Sequence, residues 1–252
     1  MFFLEKLWKN KFRNAMFVLI LIYPLIETLV FAKSFTTQGV YRPEECFFLR
    51  CNTVGYKHLF QVLLLWPLPM YLLTLFSSMY WNENKTGYRN AIISRIGKKK
   101  YIKKGLLLSF GGAFVLVMTS MCLNMLVSFL LFNGGRITRI EMEIINDSFL
   151  KWQILHPWMA NLLFSFILAF VAGIVAMAGT ACTIMSTNLK NVYGVIMAAW
   201  FVLLLKKDSI VLLFQPVSEY SIDTLGPIFV ETVILFTTIG CAAYYKEIKS
   251  EK

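Results

Sequence analysis

Long apolar stretches, each followed by a charged or polar segment, constrain this chain more than any other feature of its sequence. About 20 apolar residues in a helix cross the roughly 30 Å hydrocarbon layer of a bilayer, and a helix satisfies its own backbone hydrogen bonds there. Hydrophobic residues make up 58% of the 252 residues and charged residues 15%, which excludes a water-soluble domain with an ordinary charged surface. The sequence therefore predicts an all-α membrane protein.

Six apolar stretches are long enough, or nearly so, to span the membrane. They cover residues 15–32, 58–81, 105–132, 158–185, 192–205 and 226–245. The fifth is short because Lys206 and Lys207 end it. We expect it to cross with little tilt, to continue into 209–214, or to place these lysines at the interface. The predicted organisation is an N-terminal interfacial segment, 1–14, followed by a six-span domain over 15–252.

The distribution of lysine and arginine predicts the orientation, since loops rich in these residues stay on the cytoplasmic side. Segments on the side of the two termini carry 16 of the 25 Lys and Arg residues, and the opposite side carries nine. Eight of the 14 acidic residues share that opposite side, so its loops are nearly neutral. We expect a multi-pass protein of the cell membrane with both termini in the cytoplasm. The net charge of +11 then reflects topology and contact with anionic lipids, and it requires no nucleic acid.

The first residues, MFFLEKLWKNKFRN, combine apolar and basic side chains at helical spacing. Phe3, Leu4, Leu7 and Trp8 fall on one side of a helix, and the basic residues fall mainly elsewhere. This pattern predicts an amphipathic helix that lies along the inner membrane interface. The alternative is a basic anchor that only orients the first span.

A polar and basic island, residues 81–104, separates the second and third spans and carries eight of the basic residues. Gly97 is predicted to end a short helix that starts near Gly87, with Arg89 interrupting its apolar face. That face carries Tyr88, Ile92, Ile93 and Ile96. We expect the apolar side to bind a groove on a partner while the neighbouring lysines contact lipid head groups. The alternative is a loop that serves only to fix topology.

The island resembles the segment between the second and third spans of ABC-2 type transporter permeases. In that family an acidic residue, a glycine four positions on, a basic residue, an aromatic residue and a lysine entering the next span recur. The matching residues here are Glu83, Gly87, Arg95, Tyr101 and Lys104. The resemblance implies that 81–104 is a coupling segment that sits in a cleft of an ATPase subunit. The chain departs from the family because its helix is rich in isoleucine and has no proline.

The resemblance extends over the whole chain and implies that residues 206–225 re-enter the membrane from the outer side. It also implies the permease subunit of an ABC exporter, which pairs with a second permease chain as a homodimer or heterodimer. Such a transporter moves a hydrophobic or peptide-like substrate by alternating access. The family further implies export of peptides, lipids, glycans or drugs, and immunity to antimicrobial peptides in Gram-positive bacteria.

The sequence contains no phosphate-binding loop of the form G-x-x-x-x-G-K-[ST]. This chain is therefore not expected to bind ATP by that device, and we expect no catalytic site, cofactor or metal site in it. The resemblance implies that two partner ATPase subunits bind ATP and Mg²⁺. A non-transporting membrane scaffold or sensor and a membrane-embedded hydrolase are the two alternatives. The hydrolase is disfavoured because Glu44 and Glu45 lie in an outer loop and no catalytic triad or zinc motif can be assembled.

Glu27 and Glu231 lie inside predicted spans, where a charge costs several kcal/mol unless it is neutralised or paired. They are candidate residues of a translocation pathway or gate. Alternatively, both reach the outer interface, where they are solvated or paired with Lys33 or a loop arginine. Cys46 and Cys51 lie on the predicted outer side, where a disulfide between them and two separate thiols both fit the spacing.

Small residues recur at four-residue spacing in the fourth span, which permits close packing between helices. They are Ala169, Ala172, Gly173, Ala176 and Thr180. Packing within one subunit and packing across a dimer seam are both consistent with this pattern.

Overall fold

The computed structural model describes residues 11–34, 41–50, 59–135, 147–186, 188–217 and 220–249, and the regular elements in these ranges are helices. The α-helices are α1 (Lys11–Ser34), α2 (Leu59–Leu65), α3 (Leu68–Lys85), α4 (Tyr88–Ile96), α5 (Lys98–Leu131), α6 (Ser148–Leu155), α7 (Pro157–Met185), α8 (Leu189–Leu205) and α9 (Ile222–Lys249). Two 3₁₀ turns, Pro43–Cys46 and Ile210–Phe214, and a wider π turn within α3, Leu73–Ser77, complete the described elements. The prediction of an all-α chain is confirmed.

Four of the described helices, α1, α5, α7 and α9, are long and apolar enough to cross a bilayer. Helices α2 and α3 meet at an angle of 54° and make a fifth span if the bent pair is counted as one. Helix α8 is apolar but has only 17 residues. The chain is thus a multi-pass membrane protein, while the sixth span stays a prediction that depends on α8.

The predicted interfacial segment, 1–14, is described only in part. Residues 1–10 lie outside the described residues, and 11–14 are helical and continue into α1 without a break. The boundary that the sequence suggested after residue 14 is therefore absent from α1. The basic island is also more helical than expected, because 81–85 complete α3 and 98–104 form the first turns of α5.

Helix α7 lies at the centre of the bundle, packed between α5 and α9. Its small residues face these neighbours, and Ala169, Ala172, Ala176 and Thr180 are fully buried. A Cβ atom on Gly173 would lie 2.8 Å from the ring of Phe110, so glycine is required for this close approach. The small-residue stripe therefore packs within one subunit.

Pro24 lies inside α1, and α5 provides a donor for the helical hydrogen bond that the proline removes. Pro24 has no N–H, so it cannot bond the carbonyl oxygen of Ile20 four residues earlier. The hydroxyl of Ser120 donates to that oxygen at 2.7 Å, and the amide nitrogen of Asn124 donates to the carbonyl oxygen of Pro24 at 2.9 Å. These polar contacts fix α1 against α5 in the apolar interior.

Two further prolines, Pro67 and Pro69, explain the break between α2 and α3. Each leaves the carbonyl oxygen four residues before it without its helical N–H partner. The oxygen released by Pro67 belongs to Leu63, and the hydroxyl of Tyr71 donates to it at 2.9 Å. At the break, a side chain therefore donates to a carbonyl oxygen that the prolines leave open, as a membrane interior requires.

Candidate functional site

Helix α4 is a separate short helix because a glycine turns the chain at each of its ends. Gly87 has φ 71° and Gly97 has φ 82°, both in the left-handed region that strains other residues. A Cβ atom would meet nothing within 4 Å at either position, so the backbone conformation, not the available space, requires glycine. The two glycines set the direction of α4 between α3 and α5.

The apolar side of α4 packs against its own bundle, which corrects the prediction that it would bind a groove on a partner. Ile92, Ile93 and Ile96 contact an apolar cluster at the ends of three long helices. That cluster consists of Met79, Tyr80, Tyr101, Ile102 and Ile184. The sequence suggested a partner groove because it does not show that α3, α5 and α7 end together here. The exposed residues of α4 are Tyr88, Asn90, Ala91, Ser94 and Arg95.

An arginine on the inward side of α4 joins it to the ends of α7 and α9. Arg89 donates to the carbonyl oxygen of Ile184 at 2.9 Å and forms a short ion pair with Glu247. Lys98, at the start of α5, pairs with the same carboxylate at 3.2 Å and donates to the backbone oxygen of Glu247 at 2.8 Å. We call Arg89, Lys98 and Glu247 the ion-pair clasp; all three side chains are at most 13% exposed.

Sequence reasoning missed the ion-pair clasp, because Arg89 looked like a flaw in an apolar face. An arginine on the inward face of a helix requires an acceptor, which was a usable signal. Its partner is 158 residues away, so no local pattern identifies it.

The structure brings together two of the five predicted coupling residues. The hydroxyl of Tyr101 donates to a carboxylate oxygen of Glu83 at 2.8 Å, which links the end of α3 to the start of α5. Gly87 begins α4, while Arg95 and Lys104 are exposed on α4 and α5. The five residues therefore share one end of the bundle, without forming a single contacting cluster.

Basic side chains cover this end of the bundle, which we call the α4 end. The exposed ones are Lys85, Arg95, Lys99, Lys100, Lys103, Lys104, Lys190, Lys246 and Lys249. The two acidic residues described at this end, Glu83 and Glu247, both bind side chains of the bundle itself. The outward electrostatic potential of this surface is therefore strongly positive.

Glu27 and Glu231, the predicted pathway residues, lie in different environments. Glu27 is 3% exposed, and its carboxyl group lies beside the backbone of Gln61 in α2. Glu231 is 46% exposed and pairs with Lys206 at 2.6 Å, just beyond the end of α8. Only Glu231 matches the alternative of an acid paired at the membrane interface, and its partner is neither Lys33 nor an arginine.

The segment 41–50 enters the bundle at the end opposite α4. Glu45 and Arg50 form a buried ion pair at 3.0 Å, and the backbone N–H of Phe48 donates to the side-chain oxygen of Asn124 at 2.9 Å. Residues 45–50 are all buried within the segment that the sequence placed in an outer loop. Cys46 belongs to this buried segment, whereas Cys51 lies outside the described residues, so the disulfide stays a prediction.

The predicted re-entrant stretch, 206–225, folds back against the bundle over its described part. Its 3₁₀ turn buries Ile210, Leu213 and Phe214, and the ring of Phe214 stacks on Trp200 of α8. The backbone N–H of Val217 donates to the side-chain oxygen of Gln153 at 2.7 Å, while 218–219 lie outside the described residues.

In the part of the chain that the structure describes, no group of three or more His, Cys, Asp or Glu residues is placed to hold a metal ion.

Comparison with known proteins finds a bacterial relative of nearly the same length. The chain is 31% identical over 233 residues to "Uncharacterized protein YybM" of Bacillus subtilis (strain 168), a match that covers 92% of this chain and 91% of the relative. No protein-family model matches the chain, and no solved structure matches it.

Proposed function

We propose that this chain, which belongs to the family of Bacillus subtilis YybM, is the permease subunit of an ATP-driven ABC exporter. In this proposal the chain has six spans, with α8 as the fifth, both termini in the cytoplasm and an interfacial helix at 1–14. It pairs with a second permease chain and with two ATPase subunits, which bind ATP and Mg²⁺. Closure of the ATPases shifts the paired permeases between inward-open and outward-open states.

The arrangement of α4 is the observation that carries this proposal. Glycines at both ends leave α4 as a separate helix, while its isoleucines and Arg89 fix it to α3, α5, α7 and α9. Its opposite side, with Arg95, is exposed. A helix held in this way transmits a force applied to its exposed side to the spans, as coupling to an ATPase requires.

The charge of the α4 end supports an acidic partner surface. The exposed basic residues surround α4, and the two described acids of this end are bound within the bundle. An acidic cleft on an ATPase and the head groups of anionic lipids both complement this surface. In the proposal, the exposed side of α4 contacts the ATPase and the flanking lysines contact the lipids.

Affinity purification from the membranes of the native host tests the proposal. The wild-type chain is expected to bring down a protein with a phosphate-binding loop and to increase its ATPase rate. Arg95→Glu is expected to reduce the recovered ATPase at least tenfold, because it reverses a charge on the contact side. Lys151→Glu, an equivalent charge reversal at an exposed lysine of α6, at the opposite end of the bundle from α4, is expected to recover it fully.

The outcomes separate the transporter from its rivals. Failure of the wild-type chain to bind any such ATPase overturns the proposal. Binding without stimulation favours the scaffold or sensor alternative. Equal recovery with Arg95→Glu and Lys151→Glu removes α4 as the contact.

The cargo follows only from the resemblance to ABC-2 permeases, and we propose a hydrophobic or peptide-like molecule. Immunity to antimicrobial peptides in a Gram-positive bacterium fits such a cargo. Deletion of the gene is then expected to lower the resistance of the host to membrane-active peptides, and wild-type protein is expected to restore it.

A further inference from the structure

Three helices, α4, α5 and α9, meet at a single carboxylate at the α4 end. Arg89 belongs to α4, Lys98 begins α5, and Glu247 lies in the last turn of α9. The guanidinium group of Arg89 also binds the carbonyl oxygen of Ile184, near the end of α7. Glu247 is therefore a side chain that connects α9 directly to α4.

Two of the eight basic residues of the island, Arg89 and Lys98, bind groups within the bundle, and the other six are exposed. Of the two arginines on α4, only Arg89 turns inward. A basic residue that only fixes topology needs no buried partner. The inward contacts of Arg89 therefore require an explanation beyond orientation in the membrane.

The charges of Arg89 and Glu247 are stabilised in two different arrangements. When α4 is docked against the bundle, each side chain is 12% exposed and the two opposite charges stabilise one another. Both lie at the water-facing end of their helices, so water solvates them when α4 moves away. An interaction of this kind is made or broken as a unit, which suits a two-state contact.

Helix α9 extends from the ion-pair clasp to the opposite end of the bundle. Glu247 lies 16 residues after Glu231, which corresponds to about 24 Å along a helix. Glu231 pairs with Lys206, and the 3₁₀ turn Ile210–Phe214 that follows this lysine packs against α9. A displacement of α9 at the clasp would therefore reach the segment that packs against its other end.

We propose that the ion pair between Arg89 and Glu247 transmits displacement of α4 to α9. This inference rests on the proposed function and deepens it, because it names the residues through which ATPase closure moves the spans. Breaking the pair uncouples α4 from α9 without removing the exposed side of α4 that contacts the ATPase.

Spin-label distances between α4 and α9 test the connection without any partner. Labels are attached at Ser94→Cys and Tyr245→Cys, both exposed positions, in a full-length chain whose five native cysteines are replaced. A narrow distance distribution is expected with the clasp intact. Glu247→Gln is expected to broaden it, whereas Lys246→Gln, the same loss of charge at the neighbouring exposed residue, is expected to leave it unchanged.

A double variant shows whether Arg89 and Glu247 act as a pair. Arg89→Gln is expected to broaden the distribution as much as Glu247→Gln, and the double variant no more than either. Additive broadening, or a distribution unchanged in Glu247→Gln, overturns the inference.

Complex formation separates this inference from the proposed function. The Glu247→Gln variant is expected to recover as much ATPase as the wild-type chain does. Its stimulation of the ATPase rate is expected to be at least tenfold lower. Full stimulation by Glu247→Gln overturns the transmission role while the exporter function stands. A wild-type chain that binds no ATPase overturns the exporter function, and the spin-label distances still decide whether the pair connects α4 to α9.

Discussion

The indole nitrogen of Trp200 donates a hydrogen bond to the carbonyl oxygen of Leu65 at 3.2 Å. Leu65 lacks a helical donor because the residue four positions on is Pro69. Trp200 is fully buried and belongs to α8, the shortest of the apolar helices considered as spans. The bond therefore fixes α8 to the break between α2 and α3.

Trp200→Phe is expected to destabilise the protein by about 1–3 kcal/mol, because it keeps an aromatic ring but leaves the oxygen of Leu65 unsatisfied. The measurement is the thermal unfolding midpoint of the purified protein in detergent. Trp66→Phe, at a position that is 46% exposed, serves as the control and is expected to leave the midpoint unchanged. Equal midpoints for the two variants would show that water or lipid replaces the bond.

Two adjacent glycines of α5 provide a matched test of helix packing. A Cβ atom on Gly112 would lie 2.6 Å from the ring of Phe76, and one on Gly111 would meet nothing within 4 Å. Gly112→Ala is expected to cost about 1–3 kcal/mol through overpacking. Gly111→Ala is expected to be neutral or stabilising, because alanine favours the helix. The order of their unfolding midpoints checks the prediction, and a reversed order contradicts the packing of α3 on α5.

Removing the charge of Glu45, which pairs with Arg50 at the end opposite α4, is expected to lower the stability of the protein. Glu45→Gln removes the carboxylate that pairs with the buried guanidinium of Arg50, and we expect a loss of about 3–5 kcal/mol in stability. Glu44→Gln is the control, because the amide oxygen can still accept the hydrogen bond that Trp158 donates to Glu44. A stability of Glu45→Gln close to that of Glu44→Gln would show that this segment does not depend on the pair.

Tyr101→Phe is expected to loosen the contact between α3 and α5 at the α4 end. It removes the hydroxyl that donates to Glu83, a hydrogen bond to a charged group worth about 1.5–3 kcal/mol. Hydrogen exchange of the amides in 81–85 should accelerate, while Tyr245→Phe, at an exposed position of α9, should not change it. Unchanged exchange in Tyr101→Phe would assign Glu83 to another partner.

The predicted orientation gives a direct labelling experiment. In a chain with its native cysteines replaced, Lys207→Cys is expected to react with a membrane-impermeant maleimide on intact cells. Lys103→Cys is expected to react only after permeabilisation, and both positions are exposed in the structure. The reverse pattern would invert the topology and exclude contact between α4 and a cytoplasmic ATPase.

Hydropathy located the long helices because a segment that crosses the hydrocarbon layer must be apolar over about 20 residues. The predicted stretch 158–185 differs from α7 by one residue at its start, and 192–205 lies within α8. Polar turns at the ends of helices were missed, as in α5, which begins at Lys98 instead of residue 105. The apolar stretch begins at 105, but the helix already includes the polar residues before it.

The contacts of the candidate site were less accessible to sequence reasoning. The glycines at 87 and 97 marked α4 correctly, since left-handed backbone conformations have a local signature. The partners of Arg89 and the burial of 45–50 depend on residues far along the chain, such as Glu247 and Asn124. Such pairings are fixed by packing, which no periodic pattern encodes.

The missing N–H of Pro24 has a consequence for biogenesis. The oxygen of Ile20 receives its hydrogen bond from Ser120, a residue translated 100 positions later. Until that helix leaves the ribosome and inserts, the first helix carries an open acceptor in a medium that offers no donor. Its final docking therefore awaits the arrival of α5, and the order of synthesis sets the order in which the bundle assembles.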